Sequence, residues 1–180
     1  MGFTRGTGSN INNTRKPFQR LEGATLSHSL IRVFIHLVWG TKHHMRTLIG
    51  DSRKLVKTHL ASYAEQSNLQ LLALDVQPEH VHALIRLKHD QRLEDIARLL
   101  KGESSHWVNH GKMVPGRFSW QTGYAAFSVD PDAVDVVQRY IASQDPQHSQ
   151  KTFREELTKA VEETGYSADE IREFFEWENR

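Results

Sequence analysis

Four short segments rich in β-branched and aromatic residues alternate with two longer amphipathic segments, in the order strand, helix, strand, strand, helix, strand. That order is typical of the ferredoxin-like, or split βαβ, arrangement, in which two helices pack on one face of an antiparallel sheet. We therefore predict an α+β fold whose second sheet face is free for a ligand or for additional helices. The predicted strands are Ile31 to Trp39, Leu69 to Val76, Val81 to Leu87 and Tyr124 to Val129.

Helical periodicity and capping residues predict five helices. The third follows the fourth strand and ends before Pro146, because proline cannot continue a helix. The first predicted helix has Asp51 as its N-cap and ends at Asn68. The other four run from Leu93 to Val108, Pro131 to about Gln144, Ser149 to Thr164 and Ala168 to Glu178.

The chain divides into a tail and one domain. Residues 1–26 are rich in glycine, asparagine and basic side chains and contain a single acid, Glu22, so they are predicted to be a disordered basic tail. An extension, a misassigned start and a basic arm that contacts nucleic acid are all open interpretations of this segment. Residues 27–180 are predicted to form a single domain.

Composition excludes several classes of site. The 180 residues include no cysteine, which removes zinc–thiolate sites, disulfides and thiol nucleophiles. Neither a membrane-length apolar run nor a signal-peptide core is present, so we expect a cytoplasmic protein without a membrane partner. A net charge of +1 argues against bulk binding to duplex nucleic acid but leaves room for a local basic groove.

Two pairs of side chains carry chemical information. His80 and His82 lie two residues apart in a strand, so both project to one sheet face and can ligate one divalent metal. Tyr140 and Gln144 lie four residues apart on one helix face. A phenol, two imidazoles and a carboxamide suit cleavage and rejoining of a phosphodiester bond through a protein–DNA ester. Each pair also fits a plainer interpretation: two surface histidines, and a packed tyrosine above a solvated glutamine.

Other polar residues have weaker assignments. A basic cluster after the first strand, containing Lys42 and Arg46, is predicted to contact phosphate or a hairpin. Lys101, Ser104 and Ser105 on the second helix are predicted DNA contacts, with a solvated helix face as the alternative. Asp75 and Glu79 are candidates for second-layer contacts to the histidine pair. Phe118 and Trp120 are assigned to the core rather than to base stacking. The acids of the fourth predicted helix are assigned to a solvated helix face: Glu155, Glu156, Glu162 and Glu163.

Five separated segments, in one order, carry a family resemblance that covers residues 27–164. They are HLVWGTKHH (36–44), VQPEHVHALIRL (76–87), LKGESSHWVN (100–109), FSWQTGYAAFSV (118–129) and YIASQDPQH (140–148). Together they resemble the single-tyrosine transposases with a His-hydrophobe-His (HUH) motif, which belong to bacterial insertion sequences, and their relatives associated with repetitive extragenic palindromes.

The resemblance implies cleavage and rejoining of single-stranded DNA through a 5′-phosphotyrosine intermediate, with recognition of a DNA hairpin and a requirement for Mg²⁺ or Mn²⁺. By matching position, Tyr140 would be the nucleophile, and His80, His82 and Gln144 the metal ligands. Mobile-element members form homodimers in which the tyrosine helix of one subunit completes the metal site of the other. Members linked to palindromic repeats act as monomers. A homodimer is the expected assembly here.

Two other functions fit the same sequence. A catalytically silent nucleic-acid-binding module could use the same scaffold, because ferredoxin-like sheets commonly bind RNA. The stacking aromatics expected of an RNA-binding sheet are not evident in Val81 to Leu87, which counts against it. A replication-initiator nickase would use related chemistry, but its motifs follow a different chain order.

Overall fold

The structure is a computed structural model that describes residues 30–143, 152–162 and 165–176. The predicted tail, residues 1–26, and Gln144 lie outside these ranges. Within them, no helix combines the length and apolar character that crossing a bilayer requires. The elements are β1 Val33–Gly40, α1 Asp51–Gln66, β2 Gln70–Val76, β3 His80–Leu87, α2 Leu93–His110, β4 Ala125–Val129, α3 Val134–Ala142, α4 Phe153–Glu162 and α5 Ala168–Glu176.

The four strands form one sheet in the order β2-β3-β1-β4, with every neighbouring pair antiparallel. This confirms the predicted ferredoxin-like arrangement, in which β1 and β2 flank β3, while α1 connects β1 to β2 and α2 connects β3 to β4. The β2–β3 hairpin closes where the amide of Gln77 donates to the carbonyl of His80 over 2.7 Å. In the β1–β3 register, Val38 faces His82 and Gly40 faces His80.

One side of the sheet, called the α1/α2 face, carries the main core. Alternate residues of β1 and β3 point to this side and pack against α1 and α2, because successive strand side chains alternate between faces. Phe118 and Trp120 belong to the same cluster, which confirms their assignment to the core. Its fully buried members include Leu37, Trp39, Leu48, Val56, Leu60, Val76, Val81, Ala83 and Ile85.

The opposite side, called the α3/α4 face, holds two smaller apolar clusters. Phe34, Leu84 and Ile141 join the sheet to α3. The second cluster joins the sheet to the last two helices and consists of Val38, Phe153, Leu157, Ile171 and Phe175. The additional helices foreseen for the second sheet face are therefore α3, α4 and α5.

Two helix starts differ from the sequence prediction. Residues 131–133 form a turn in which the amide of Ala133 donates to the Asp130 carbonyl over 2.9 Å, so α3 begins at Val134 rather than Pro131. Asp51 is the first helical residue of α1, not its cap. The cap is Gly50, whose φ of 59° and ψ of −129° lie in a region that residues with a side chain rarely adopt.

Candidate active site

The two histidines of β3 meet on the α3/α4 face. Val81 between them points into the α1/α2 core, so His80 and His82 project to the other side as the strand period requires. Their Nε2 atoms lie 2.9 Å apart, and the ring planes are nearly perpendicular at 83°. The side chains are only 0 % and 3 % exposed, so the alternative of two surface histidines is wrong.

Tyr140 reaches the same place from α3. Ile141, the next residue, is buried against Phe34 and Leu84 and fixes the helix on the sheet. The ring centroid of Tyr140 lies 6.0 Å from that of His82, in an edge-on orientation of 86°. Its hydroxyl donates a hydrogen bond to the carboxylate of Glu156. The predicted nucleophile and the two predicted histidine ligands are therefore neighbours within one chain.

Glu156 of α4 is the site residue that the sequence interpretation missed. Its Oε1 lies 3.3 Å from Nε2 of His82, and its Oε2 lies 3.7 Å from Nε2 of His80. The assignment of Glu156 to a solvated helix face was therefore wrong, whereas Glu155 and Glu162 are exposed as predicted. Glu163 lies outside the described residues.

The local sequence around Glu156 contained a usable signal. Phe153 and Leu157, one turn apart, form the buried stripe of α4. Glu156 is three residues after Phe153 and next to Leu157, so helical geometry places it at the edge of that buried stripe. A carboxylate at the edge of this stripe is a better candidate for an inward-facing group than the other acids of the segment, Glu155, Glu162 and Glu163.

The donor set fits a divalent ion. One ligand atom from each of His80, His82 and Glu156 can be chosen so that all lie within 4.8 Å of one another. Two imidazole nitrogens and one carboxylate oxygen are common ligands of divalent first-row metals. Because Glu156 also accepts the hydrogen bond of the Tyr140 hydroxyl, an ion held here would be close to the nucleophile.

Electrostatics favour an ionised Glu156 carboxylate and a neutral His36 ring. Burial by itself would raise the pKa of Glu156, but the hydrogen bond and charge of His82, followed by the hydrogen bond from Tyr140, hold that pKa well below its ordinary value. Burial and the charge of the neighbouring His82 lower the pKa of His36, on β1, to about 3. His36 is therefore a neutral imidazole at physiological pH.

An aromatic side chain holds the first histidine ring in place. Phe153 stacks on His80 with ring centroids 4.5 Å apart and an angle of 17° between the planes. His44 packs on Phe153 in turn, at 5.2 Å. A Cβ on Gly40 would lie 2.6 Å from Oε1 of Gln121 and 3.0 Å from Phe153, so a larger residue at position 40 would displace these side chains.

Of the two acids suggested as supports, Glu79 faces the histidine pair. Its Oε1 lies 3.7 Å from Nδ1 of His80, and its Oε2 lies 3.1 Å from Nη1 of Arg46. Asp75 instead accepts hydrogen bonds from Lys57, at 2.9 Å, and from Gln77.

The basic residues after β1 lie at the rim of this site. The amide of Thr41 donates to the Glu79 carbonyl over 2.7 Å, which ties the loop to the strand end that carries His80. Lys42 is exposed, and the side chain of Arg46 is 61 % exposed although it pairs with Glu79. Both cations are therefore accessible: Arg46 is linked to His80 through Glu79, and Lys42 follows Thr41 in the loop tied to that strand end.

The predicted DNA contacts on α2 lie elsewhere. Ser104 is fully buried: its hydroxyl donates to the Leu100 carbonyl and accepts from Nε1 of Trp120 at 2.9 Å. A hydroxyl in that position cannot reach a nucleic acid, so its assignment as a DNA contact is corrected. Ser105 is half-buried near the Phe118 carbonyl, and the Lys101 ammonium donates to the carbonyl of Gly123.

Comparisons with known proteins agree with this geometry. A family model described as "Transposase IS200 like" matches residues 29–144. The ISDra2 transposase TnpA of Deinococcus radiodurans is 29 % identical over 114 residues, which cover 61 % of this chain and 81 % of that protein. A transposase for insertion sequence element IS200 from Salmonella typhimurium is 25 % identical over 81 residues, or 45 % of this chain, and the match spans only about half (53 %) of that relative.

Two solved structures have the same fold. A putative transposase from Deinococcus radiodurans superposes with a TM-score of 0.53 at 27 % identity, covering 65 % of this chain and 94 % of the other. A REP-associated tyrosine transposase bound to a REP hairpin gives a TM-score of 0.52 at 14 % identity, covering 66 % of this chain and 70 % of the other, and supports the fold alone. The family match covers well over half of the chain, and the chain belongs to the IS200-like DNA transposases.

Proposed function

We propose that this transposase cleaves and rejoins single-stranded DNA through a 5′-phosphotyrosine intermediate on Tyr140, at a divalent-metal site that includes His80, His82 and Glu156. One observation carries the proposal: the Tyr140 hydroxyl and Nε2 of His82 both lie against the same carboxylate oxygen of Glu156. A nucleophile and metal-type ligands that share one contact atom can act on one phosphate group.

The chemistry of the proposed ligands decides which divalent ion should be tested first. A divalent ion at this site, Mg²⁺ or Mn²⁺, would polarise the phosphoryl oxygens and neutralise charge in the transition state. Two imidazoles make the softer Mn²⁺ the better first probe, since Mg²⁺ prefers oxygen ligands. Gln144, four residues after Tyr140 in the sequence, remains a predicted further ligand.

The Tyr140 oxygen performs the displacement. It forms a bond to phosphorus while the bond from phosphorus to the 3′ oxygen breaks, the phenolic proton is lost, and the departing 3′ oxygen takes up a proton. The 5′ phosphate stays on Tyr140, and attack by a 3′ hydroxyl in the reverse sense rejoins the strand without ATP. The hydrogen bond from Tyr140 to Glu156 positions the hydroxyl at the site and must break when the oxygen attacks.

We propose that the DNA substrate carries a hairpin next to the cleaved strand. Lys42 and Arg46 at the rim of the site supply exposed cations for the backbone phosphates. The REP-associated tyrosine transposase of the same fold is bound to a REP hairpin, and we propose the same type of partner here by analogy with that protein.

We further propose that the nucleophile acts on a phosphate held by its own chain. Tyr140 lies beside the histidines of the same molecule, so a partner subunit is not needed to bring the groups together. The expected homodimer remains a prediction, and this arrangement does not depend on it.

The central test is a covalent-adduct assay. The protein is incubated with single-stranded hairpin DNA and Mn²⁺, then run on a denaturing gel. We expect an adduct for the wild-type protein, none for Tyr140→Phe, and a strongly reduced yield for His82→Ala and Glu156→Ala. Undiminished adduct formation by Tyr140→Phe would refute the phosphotyrosine mechanism, and binding of the DNA without any cleavage would favour a silent binding module.

Mixing two inactive variants tests whether one chain is sufficient. Tyr140→Phe retains the metal ligands, and His82→Ala retains the nucleophile. If the groups act within one chain, the mixture forms no more adduct than its His82→Ala component does alone, because no molecule has both groups. If a tyrosine completes the site of a partner subunit, the mixture regains activity. The control is wild-type protein mixed with Tyr140→Phe, which keeps the adduct yield of the wild-type component.

A further inference from the structure

A third imidazole, that of His36, contacts His82 on the side of its ring that faces away from His80. His36 lies on β1, two residues before Val38, which faces His82 across the sheet. Its Nε2 is 3.0 Å from Nδ1 of His82, and the two rings stack with centroids 5.2 Å apart and 25° between their planes. None of the roles derived from the sequence involves His36.

The direction of this contact determines which nitrogen of His82 is available. Nε2 of His82 faces His80 and Glu156, so this nitrogen must offer its lone pair if the ring is to bind an ion. The ring proton then resides on Nδ1, and the atom placed to accept it is Nε2 of His36. A hydrogen bond from the second ring nitrogen commonly fixes the tautomer and orientation of a metal-ligating histidine.

The two histidines of β3 are supported in different ways. His80 is held by the stacked ring of Phe153, and the nearest carboxylate oxygen of Glu79 is 3.7 Å from its Nδ1. His82 has a direct partner at 3.0 Å. Loss of that partner should therefore act on the orientation of His82 more than on that of His80.

We propose that His36 is a positioning residue that accepts the Nδ1 proton of His82 and thereby holds Nε2 of His82 toward the bound divalent ion. The inference rests on the proposed metal site. His36 itself touches neither the ion nor the DNA in this role.

Direct metal titration separates positioning from general damage to the fold. Free Mn²⁺ is followed by its electron paramagnetic resonance signal while each variant is added, and no DNA is present. In His36→Gln, the side-chain oxygen extends about as far as Nε2 of the imidazole, so it can still accept the proton; in His36→Asn, the amide is equally polar but too short. We expect His36→Asn to raise the Mn²⁺ dissociation constant about 10–100-fold and His36→Gln to stay within about threefold of the wild type.

A matched control uses a histidine on the other side of the molecule. His59 on α1 also has a side-chain partner, Glu103 at 2.5 Å, and stacks on Trp107. His59→Asn should leave Mn²⁺ binding unchanged. If the two His36 variants bind Mn²⁺ with the same affinity, whether strong or weak, the positioning role is overturned while the metal site stands. If wild-type protein and His82→Ala bind Mn²⁺ equally, the metal site of the proposed function fails as well.

Discussion

The two faces of the sheet are built on different principles. The α1/α2 face is a continuous apolar core in which strand residues such as Leu37, Val81 and Ile85 are completely buried. The α3/α4 face has two small apolar clusters and also a polar group in which His80 and His82 are buried and His36, Tyr140 and Glu156 are half-buried. Both faces derive from the same strands, read at alternate positions.

The contrast shows how this fold separates stability from chemistry. Burial of apolar surface stabilises the first face by about 25 cal/mol for each Å² removed from water. Buried imidazoles and a carboxylate would destabilise the second face if they lacked partners. Contacts of 3.0 Å between His36 and His82 and 3.3 Å between His82 and Glu156 offset that penalty and align the groups for reaction. Substitutions should therefore have separable effects on the two faces.

Truncation of a large core residue should give the largest effect on stability. Leu60 of α1 is fully buried in the α1/α2 core, so Leu60→Ala should lower the free energy of unfolding by about 2–5 kcal/mol through lost apolar burial and a cavity. Urea denaturation measures this loss. Adduct formation per folded molecule should stay close to the wild-type value.

The matched variant on the other face is Leu157→Ala, which removes the same group from α4. Its cluster is smaller, so the loss of unfolding free energy should be below that of Leu60→Ala. Because α4 also carries Glu156, Mn²⁺ binding should weaken. Equal stability losses with unchanged Mn²⁺ binding in both variants would contradict the separation of the faces.

Acidification should destabilise the metal-free protein through His36. Its pKa falls from 6.5 to about 3 in the fold, so below pH 6.5 the unfolded chain binds a proton that the folded chain does not. Stability is thus lost progressively as the pH falls from 6.5 toward 3, by about 1–2 kcal/mol at pH 5. Urea denaturation in EDTA between pH 7 and pH 5 measures this.

The control for the pH prediction is His36→Gln, which lacks the titrating group and should lose less stability over the same range. The depressed pKa of Glu156 acts in the same direction but at lower pH, because its contribution is complete above its ordinary pKa, near 4.5. A variant with the same pH dependence as the wild type would show that His36 is not the responsible group.

Removal of a rim cation should have the smallest effect. Lys42→Ala should weaken hairpin DNA binding several-fold and reduce the salt dependence of binding by roughly one ion, with stability changed by less than about 0.5 kcal/mol. Fluorescence anisotropy at several salt concentrations measures both quantities. Lys54 is an exposed residue of α1, and Lys54→Ala is the control that should change neither the DNA affinity nor its salt dependence. Identical salt slopes for all three proteins would exclude Lys42 from the DNA interface.

Several parts of the fold and site could be predicted from sequence because their geometry is local. Hydrophobic periodicity indicated each strand and helix to within a few residues, and the strand period placed His80 and His82 on one side, away from Val81. Helix starts were less certain: Gly50 and the turn at residues 131–133 depend on backbone angles and turn hydrogen bonds that periodicity does not specify.

Contacts between distant segments could not be predicted in this way. Glu156 was one of several acids in a helix, and nothing in its neighbours alone shows that α4 packs over β3. Ser104 has the composition of a phosphate contact, yet the indole of Trp120, 16 residues later, holds its hydroxyl in the core. Such outcomes depend on which elements pack together.

The sequence by itself determined the order of the elements, the split βαβ topology and the pairing of the two β3 histidines on one face, since these follow from periods of 2 and 3.6 residues along the chain. Only the tertiary structure decided that His36, Tyr140 and Glu156 converge on those histidines. Strand β1 and the later helices α3 and α4 meet there because Ile141, Phe153 and Leu157 bury their apolar surface against the same side of the sheet, where Phe34 lies. Hydrophobic packing is non-directional, so the sequence shows that these residues are buried but not which polar side chains they bring together.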